Sequence, residues 1–393
     1  GIFCKMKIGI LTYHRAINYG AVLQSFSLVE RLKKDFPNES IEIIDYNSFS
    51  REFFKIKCPL VFVYKHGIRQ AIMKIIQTRM FNKFVKCLPL GKSLVGKAYK
   101  TAIKKISSMY DIVIVGSDAV FNWNDIGLPN VYFLSGVDVI AKFAYAASAH
   151  MQRYEEVDNH TKNYLNKAFS DFCYLGVRDE NTYRFVEKYV SNEIPIQHNC
   201  DPTIFLDMSF PEMDLIKKMK KNKFDFSKKT VFVMLMHPKY AKYVREYWGA
   251  NVQIVALMDG NPDADVYLYD LNPFEWGHVF KYGAFLVTDY FHGTILGLKN
   301  MIPVLSIDAS KYSGDSYQSK AYDLFYNRLN LPDFYVDSVE LKETDCFDVF
   351  QNKISKIVKS YDSEQIKNAL RGEADNYDLF RAKLEEVING YEA

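Results

Sequence analysis

Short unbroken apolar runs, closed by polar or turn residues, alternate along this chain with stretches whose apolar positions recur every three or four residues. Lys7–Thr12 (KIGILT) is the first such run, and an amphipathic helix follows it through Leu32. Ile41–Asp45 (IEIID), Asp111–Val115 (DIVIV), Lys142–Ala147 (KFAYAA) and Tyr174–Val177 (YLGV) continue the strands, with helices at about 156–169 and 179–190. Asp201-Pro202-Thr203 closes this half, and the polar, lysine-rich stretch 208–228 reads as a crossover between domains. A second series begins at Thr230–Met236 (TVFVMLM), followed by helix 239–248, strand 252–257, helix 273–282, strand 284–288, helix 293–300 and strand 302–306. The last amphipathic segment, 362–392, reads as one helix, with a return to the first domain left open. Strands alternating with helices of this length predict an α/β fold of two doubly wound, Rossmann-like domains facing a cleft. The expected division is 5–215, carrying a basic helical insertion at about 51–107, then 216–355, then a C-terminal helix within 356–393.

Composition changes this picture little until charge is followed along the chain. At 393 residues two domains are the natural expectation, and 48% hydrophobic with 25% charged residues is ordinary for a globular protein. The 28 Tyr and 29 Phe suit thick cores and also flat polar ligands such as sugars. Six cysteines lie far apart with no C-x-x-C pair, so neither a metal site nor a disulfide framework is expected, and the thiols read as reduced and cytosolic. No apolar run is long enough to span a membrane, and Gly1–Met6 carries no apolar export segment. The net charge of +3 gives no reason to expect a nucleic-acid partner. Residues 51–105, however, hold fourteen Lys/Arg against the single acid Glu52, leaving that stretch at +13 and the rest of the chain at −10. Phe53, Phe54, Phe62, Tyr64, Phe81 and Phe84 interleave with these cations. Two readings stay open: a solvated basic helical face, or a surface for anionic lipid or a pyrophosphate-bearing acceptor.

Ligands of open parallel sheets bind beyond the carboxyl ends of the strands, so the polar residues there are the candidates for chemistry. Four places stand out. After the first strand, Tyr13-His14-Arg15-Ala16-Ile17-Asn18-Tyr19-Gly20 is rich in hydrogen-bonding groups and leads into a helix whose N–H groups suit an anion or hydroxyl. It is no GxGxxG fingerprint, and Asn18 could equally cap the helix while Gly20 eases packing. Gly116-Ser117-Asp118-Ala119-Val120-Phe121-Asn122 follows a buried strand, and Asp118 there suits proton acceptance, a sugar hydroxyl or a helix cap. Arg178 ends the strand before Asp179-Glu180, offering a planar fork for carboxylate or phosphate, or an ion pair with its acidic neighbours. In Thr288-Asp289-Tyr290-Phe291-His292-Gly293-Thr294 a strand hands over to a helix, with His292 able to shuttle a proton near neutral pH. The cluster Ser316–Lys320 supplies a further cation, Lys320.

KIGILTYHRAINYGAVLQSFSL, DIVIVGSDAVFN, LGVRDE, CDPTIFL and FLVTDYFHGTILGLKNMIPVLSI resemble, in order from about residue 7 to about 330, the successive blocks of the polysaccharide pyruvyl transferase family. The resemblance implies a two-domain fold like the type-B glycosyltransferases and phosphoenolpyruvate as donor, with no further cofactor. The implied product is a pyruvate ketal on a sugar of an exopolysaccharide or capsule, or on its lipid-linked precursor, made at the cytoplasmic face of the cell envelope. Arg178 matches the arginine, and His292 the histidine, that the family places around phosphoenolpyruvate. Where the family often has Gln and Trp in GSDQVWN, this chain has Ala119 and Phe121. Where some members have Arg-Leu-His, it has Tyr290-Phe291-His292, one cation fewer. The implied site therefore has His292 and Asp118 as catalytic groups and Arg178, Phe291, Gly293, Thr294, Arg15 and Lys320 around the donor. Asn18, Tyr19, Gly20, Asn122 and Asp289 are the residues implied around the saccharide acceptor. The same cleft would suit a nucleotide-sugar-dependent glycosyltransferase or a non-catalytic sugar-binding protein.

Overall fold

The computed structural model describes residues 5–190, 193–207, 213–310, 318–343 and 346–392. Twelve strands among them form two parallel sheets of six. In chain order the first sheet contains β1 (Lys7–Leu11), β2 (Ser40–Ile43), β3 (Ile112–Val115), β4 (Ala141–Ala147), β5 (Tyr174–Val177) and β6 (Ile196–His198). The second contains β7 (Lys229–Met234), β8 (Val252–Leu257), β9 (Val266–Leu268), β10 (Phe285–Thr288), β11 (Val304–Asp308) and β12 (Tyr335–Asp337). The spatial orders are β2-β1-β3-β4-β5-β6 and β12-β11-β10-β7-β8-β9. The order of strand addition thus reverses between β1 and β3 in one sheet and between β7 and β10 in the other, and crevices open at such points.

Helices of the first half are α1 (Tyr19–Asp35), α2 (Phe49–His66), α3 (Ile68–Val85), α4 (Tyr99–Met109), α5 (Asn159–Ser170) and α6 (Glu180–Tyr189). Those of the second are α7 (Met213–Lys221), α8 (Ala241–Trp248), α9 (Pro273–Val279), α10 (Phe291–Lys299), α11 (Lys320–Tyr322), α12 (Glu340–Glu343) and α13 (Cys346–Ser360). Two more, α14 (Ser363–Ala374) and α15 (Tyr377–Glu392), end the chain. Strand β3 shows why its sequence is unbroken apolar: Ile112 and Ile114 enter one core while Val113 and Val115 enter another on the opposite face. The core holding Ile112 is continuous with that of the whole second sheet, through α1 and the aromatic stack of Tyr19 on Trp276 at 5.1 Å.

Several expectations are corrected. The basic insertion, expected to be mostly helix from about Ile68 to Ser107, becomes helical earlier, with α2 beginning at Phe49, and irregular chain around Pro89 and Gly91 separates α3 from α4, since proline carries no N–H for a continuing helix. The segment 362–392 is two helices, broken where Asn376 accepts a hydrogen bond from Cys200 N at 2.6 Å and its carbonyl accepts one from Asn199 Nδ2 at 2.9 Å. The second of them, α15, lies on the first sheet, with Phe380 ringed by Phe143, Tyr145 and Tyr174. Strands β6, β9 and β12 carry no usable period, because each is three residues long at a sheet edge. Residues 208–212 of the expected crossover, and Ser316 and Tyr317 of the cluster before Lys320, lie outside the described residues.

Candidate active site

The first switch point is tied by buried polar groups. Gln24 Nε2 donates to Thr12 Oγ1 at 2.9 Å, Thr12 Oγ1 to Ser117 O at 2.9 Å, and Ser117 N to Gln24 Oε1 at 3.1 Å, so the ends of β1 and β3 and helix α1 form one closed unit. Gly116 stands at φ +119, and a Cβ there would lie 2.1 Å from Tyr145 O, so glycine lets β3 turn against β4. No helix starts at Asp118: its carboxylate accepts Ala119 N at 2.7 Å, and the cap reading fails. Asn122 donates to Ala149 O at 3.1 Å and accepts from Asn124 N at 3.0 Å, so both ends of its amide serve the loop. Phe121, at the family's Trp position, is fully buried against Phe133, Phe169 and Phe172, a core exchange of one aromatic for another.

The loop after β1 divides its residues among different tasks. Asn18 caps α1, accepting Ala21 N at 3.1 Å, and Tyr19 is buried core between Phe81 and Trp276, presenting no surface to a ligand. Arg15 donates through Nε and Nη2 to Asp45 at 2.7 and 3.0 Å, with His14 on the same carboxylate. It lines a hollow beside Arg51 and Lys55, apart from Arg178 and Lys320, which line another. Gly20 reaches the opposite half of the molecule: a Cβ there would sit 2.1 Å from His292 Cγ, so only glycine lets the His292 ring lie on the start of α1.

His292 lies in the first turn of α10, which starts at Phe291 rather than at Gly293. Its Nε2 is 2.9 Å from Asp201 Oδ2, and Arg178 Nη1 is 2.9 Å from the same oxygen. Asp201 Oδ1 accepts Thr203 N at 3.0 Å and Thr203 Oγ1 at 2.6 Å. Burial alone would raise the Asp201 carboxyl, but the neighbouring His292 and Arg178 and these hydrogen bonds hold it well below the usual carboxylate range. Arg178 pairs with neither Asp179 nor Glu180: Asp179 caps α6 through Thr182 N at 2.8 Å, and Glu180 meets Arg184 and His198. Nε and Nη2 of Arg178 are buried and make no hydrogen bond among the described residues. Its guanidinium lies 4.7 Å from the Phe291 ring centroid, and Lys320 Nζ lies 5.3 Å from the same ring. Ser319 caps α11 and donates to Asp308 at the end of β11, which places Lys320. Burial, then the neighbouring Arg178 charge, lowers the Lys320 ammonium to about 8.

The remaining residues of this handover serve packing. Asp289 accepts Met236 N at 2.8 Å and His237 N at 3.0 Å, joining the ends of β7 and β10, and burial raises its carboxyl. Thr294 Oγ1 donates to Tyr290 O and is hydrogen-bonded to the Ser306 hydroxyl, both at 3.1 Å. Gly293 lets α10 approach the sheet, since a Cβ there would meet Met234 Sδ and Thr288 Oγ1 at 3.1 Å. The Asp118 charge, on the first sheet's loop, favours the charged form of Lys320, so the two lie within electrostatic reach. Two participants escaped sequence reading. Asp201 stands in the quoted CDPTIFL block without an assigned role, and His150 follows β4. Burial, then the Lys320 charge, lowers the His150 imidazole to about 4, so it is neutral at pH 7. The strand-end rule applied to β4 would have found it. Among the described residues no group of three or more His, Cys, Asp or Glu side chains is arranged to hold a metal.

These blocks in this geometry meet a family pattern. The family model for polysaccharide pyruvyl transferase matches residues 18–311, three-quarters of the sequence. The chain belongs to that family. No curated protein matches the sequence. Among solved structures, UDP-GlcNAc 2-epimerase from Methanocaldococcus jannaschii is similar with a TM-score of 0.54 at 11% identity, covering 96% of this chain and 99% of that one. UDP-GlcNAc 2-epimerase from Neisseria meningitidis reaches a TM-score of 0.51 at 9% identity, covering 96% and 99%. The wall teichoic acid polymerase TagF reaches 0.50 at 12% identity, covering 98% and 89%. At these identities the likeness establishes the fold, two facing Rossmann-like sheets as in type-B glycosyltransferases. The family is one of transferases acting on polysaccharide.

Proposed function

We propose that this pyruvyl transferase family member moves the pyruvyl group of phosphoenolpyruvate onto two hydroxyls of a saccharide, forming a ketal. One observation carries the reading: a buried guanidinium, Arg178, with two nitrogens unpaired among the described residues, shares a carboxylate oxygen with a histidine at the cleft. An enol phosphate brings a phosphate and a carboxylate, and planar paired donors suit both. Lys320, against the same Phe291 ring, adds the second cation that Tyr290 and Phe291 do not supply.

The chemistry then falls on His292. With Nε2–H donating to Asp201, Nδ1 carries the lone pair. The imidazole takes the proton of an attacking sugar hydroxyl, and the methylene carbon of the donor gains one proton as positive charge develops at the adjoining carbon. The first hydroxyl adds there, phosphate leaves with the C–O bond pair, and the second hydroxyl closes the ring. Two hydroxyl protons are released, one replacing that taken up by carbon and one leaving with phosphate, so the step balances without a redox partner. Arg178 and Lys320 offset the phosphate charge as it develops. Asp118, on the facing loop, receives the acceptor.

The test pairs two variants. His292→Ala lowers turnover of acceptor by about 10²- to 10⁴-fold with phosphoenolpyruvate affinity little changed. Arg178→Ala weakens phosphoenolpyruvate binding by about 10- to 100-fold in calorimetric titration. Wild-type turnover in the first, or unchanged affinity in the second, overturns the assignment. Stabilisation of the wild type by a sugar nucleotide but not by phosphoenolpyruvate would replace the donor altogether.

A further inference from the structure

The hairpin of α2 and α3 is built with its apolar side outward. Along α2, Phe49, Phe53, Ile56, Leu60, Val63 and Tyr64 recur at intervals of three and four, which puts them on one stripe of a helix. All six are exposed, Tyr64 at 92%, and no residue of α2 is fully buried. The opposite side, with Arg51, Lys55, Cys58 and Phe62, is the one partly covered. Beyond Gly67, Ile68, Ile72 and Ile76 add an exposed row at four-residue spacing on α3. Eleven of the nineteen exposed large hydrophobics among the described residues fall between Phe49 and Ile76. Globular surfaces scatter such residues singly, and a continuous patch calls for a covering phase.

Charge says which phase. Between Phe49 and Val85 eight Lys/Arg stand against one acid, Glu52, and Lys57, Lys65 and Arg69 are exposed beside the apolar stripe. Apolar residues bracketed by cations match the interface of an anionic bilayer, where ring and aliphatic groups enter the acyl boundary and ammonium groups stay at the headgroups. No helix among the described residues is long and apolar enough to cross a membrane, so the hairpin fits a surface, not a span. At its foot, Arg15, Arg51, Lys55 and Lys74 line a hollow of about 520 Å³.

We infer that the α2–α3 hairpin docks this enzyme on an anionic lipid surface, carrying that cationic recess to the headgroup layer. The docking stands apart from the pyruvyl-transfer reading and survives or fails without it. Co-sedimentation of the full chain with vesicles of phosphatidylglycerol and phosphatidylcholine tests it at low salt. The wild type pellets with the mixed vesicles, stays in solution with phosphatidylcholine alone, and is released as salt is raised. The triple variant Phe53→Ser/Leu60→Ser/Tyr64→Ser, which alters only solvent-facing side chains, stays in solution while keeping the melting temperature of the wild type. Charge reversal by Lys57→Glu/Lys65→Glu/Arg69→Glu lowers partitioning by at least about 10-fold. A wild type that fails to pellet at low salt, or a triple variant that pellets as the wild type does, overturns the inference. So does light scattering that finds a wild-type dimer and a monomeric triple variant, since the stripe would then be a contact between copies.

Discussion

On Oδ2 of Asp201 two side chains from different halves of the molecule end, His292 and Arg178. The shared oxygen sets the imidazole's orientation and leaves most of the guanidinium unspent. Lys320 and Asp323, which line the same hollow, both change state within the working range of pH, burial having raised the Asp323 carboxyl to about 8. The Lys320 ammonium sits at about 8, charged below that and neutral above, because burial and Arg178 both disfavour the charge. A bound anion favours the charged form. Phosphoenolpyruvate affinity is therefore expected to fall as pH rises through about 8, and Lys320→Met to bind more weakly with that step reduced to what Asp323 contributes. Titration calorimetry at a series of pH values checks both. The sequence supplied Arg178 and His292 at strand ends and Lys320 as a bare cation. That Asp201 joins the first two could not be read, since 91 residues separate it from His292.

Helix α1 meets α10 with a small residue, Gly20, against His292. Gly20→Ala would bring a Cβ to 2.1 Å from the Cγ of His292, near the root of that side chain, which cannot swing aside as a flexible tip would. The expected outcome is a turnover loss of about 100-fold with the melting temperature only modestly lowered, because displacement of a reacting group by an ångström has that effect. Steady-state kinetics beside a thermal melt checks it. At this scale long strands with near-continuous apolar runs were legible, and so was the handover at β10. The break at Asn376 was not, because both flanking segments keep helical periodicity and the interruption depends on hydrogen bonds to Asn199 and Cys200.

The two sheets are held by more than the cleft. Helix α15 runs from the far end of the chain onto the first sheet, where Tyr377 donates to Asp35 Oδ2 at 2.7 Å and Phe380 is fully buried. Phe380→Ala is expected to lower unfolding stability by about 3–5 kcal/mol, the range for truncating a buried aromatic. Urea unfolding measures it, and a change under about 1 kcal/mol would mean that α15 is only loosely docked. The apolar stripe on α2 belongs to this scale too. It is plain in the sequence as alternating aromatic and basic residues, yet periodicity cannot tell an inward stripe from an outward one.

By itself the sequence determined the alternation of strands and helices, the two-sheet architecture and the family, because those follow from local periodicity and from motifs read in order. It also determined which strand ends carry polar groups. Tertiary structure alone decided which of those groups meet. Asn18, Tyr19, Asn122 and Asp289 turned to capping, core and loop contacts. Arg15 was drawn to Asp45, while Gly20, Arg178, Asp201, His292 and Lys320 gathered at one place. The physical reason is that a hydrogen bond or ion pair depends on separation in space, and packing two sheets face to face sets that separation with little regard to distance along the chain.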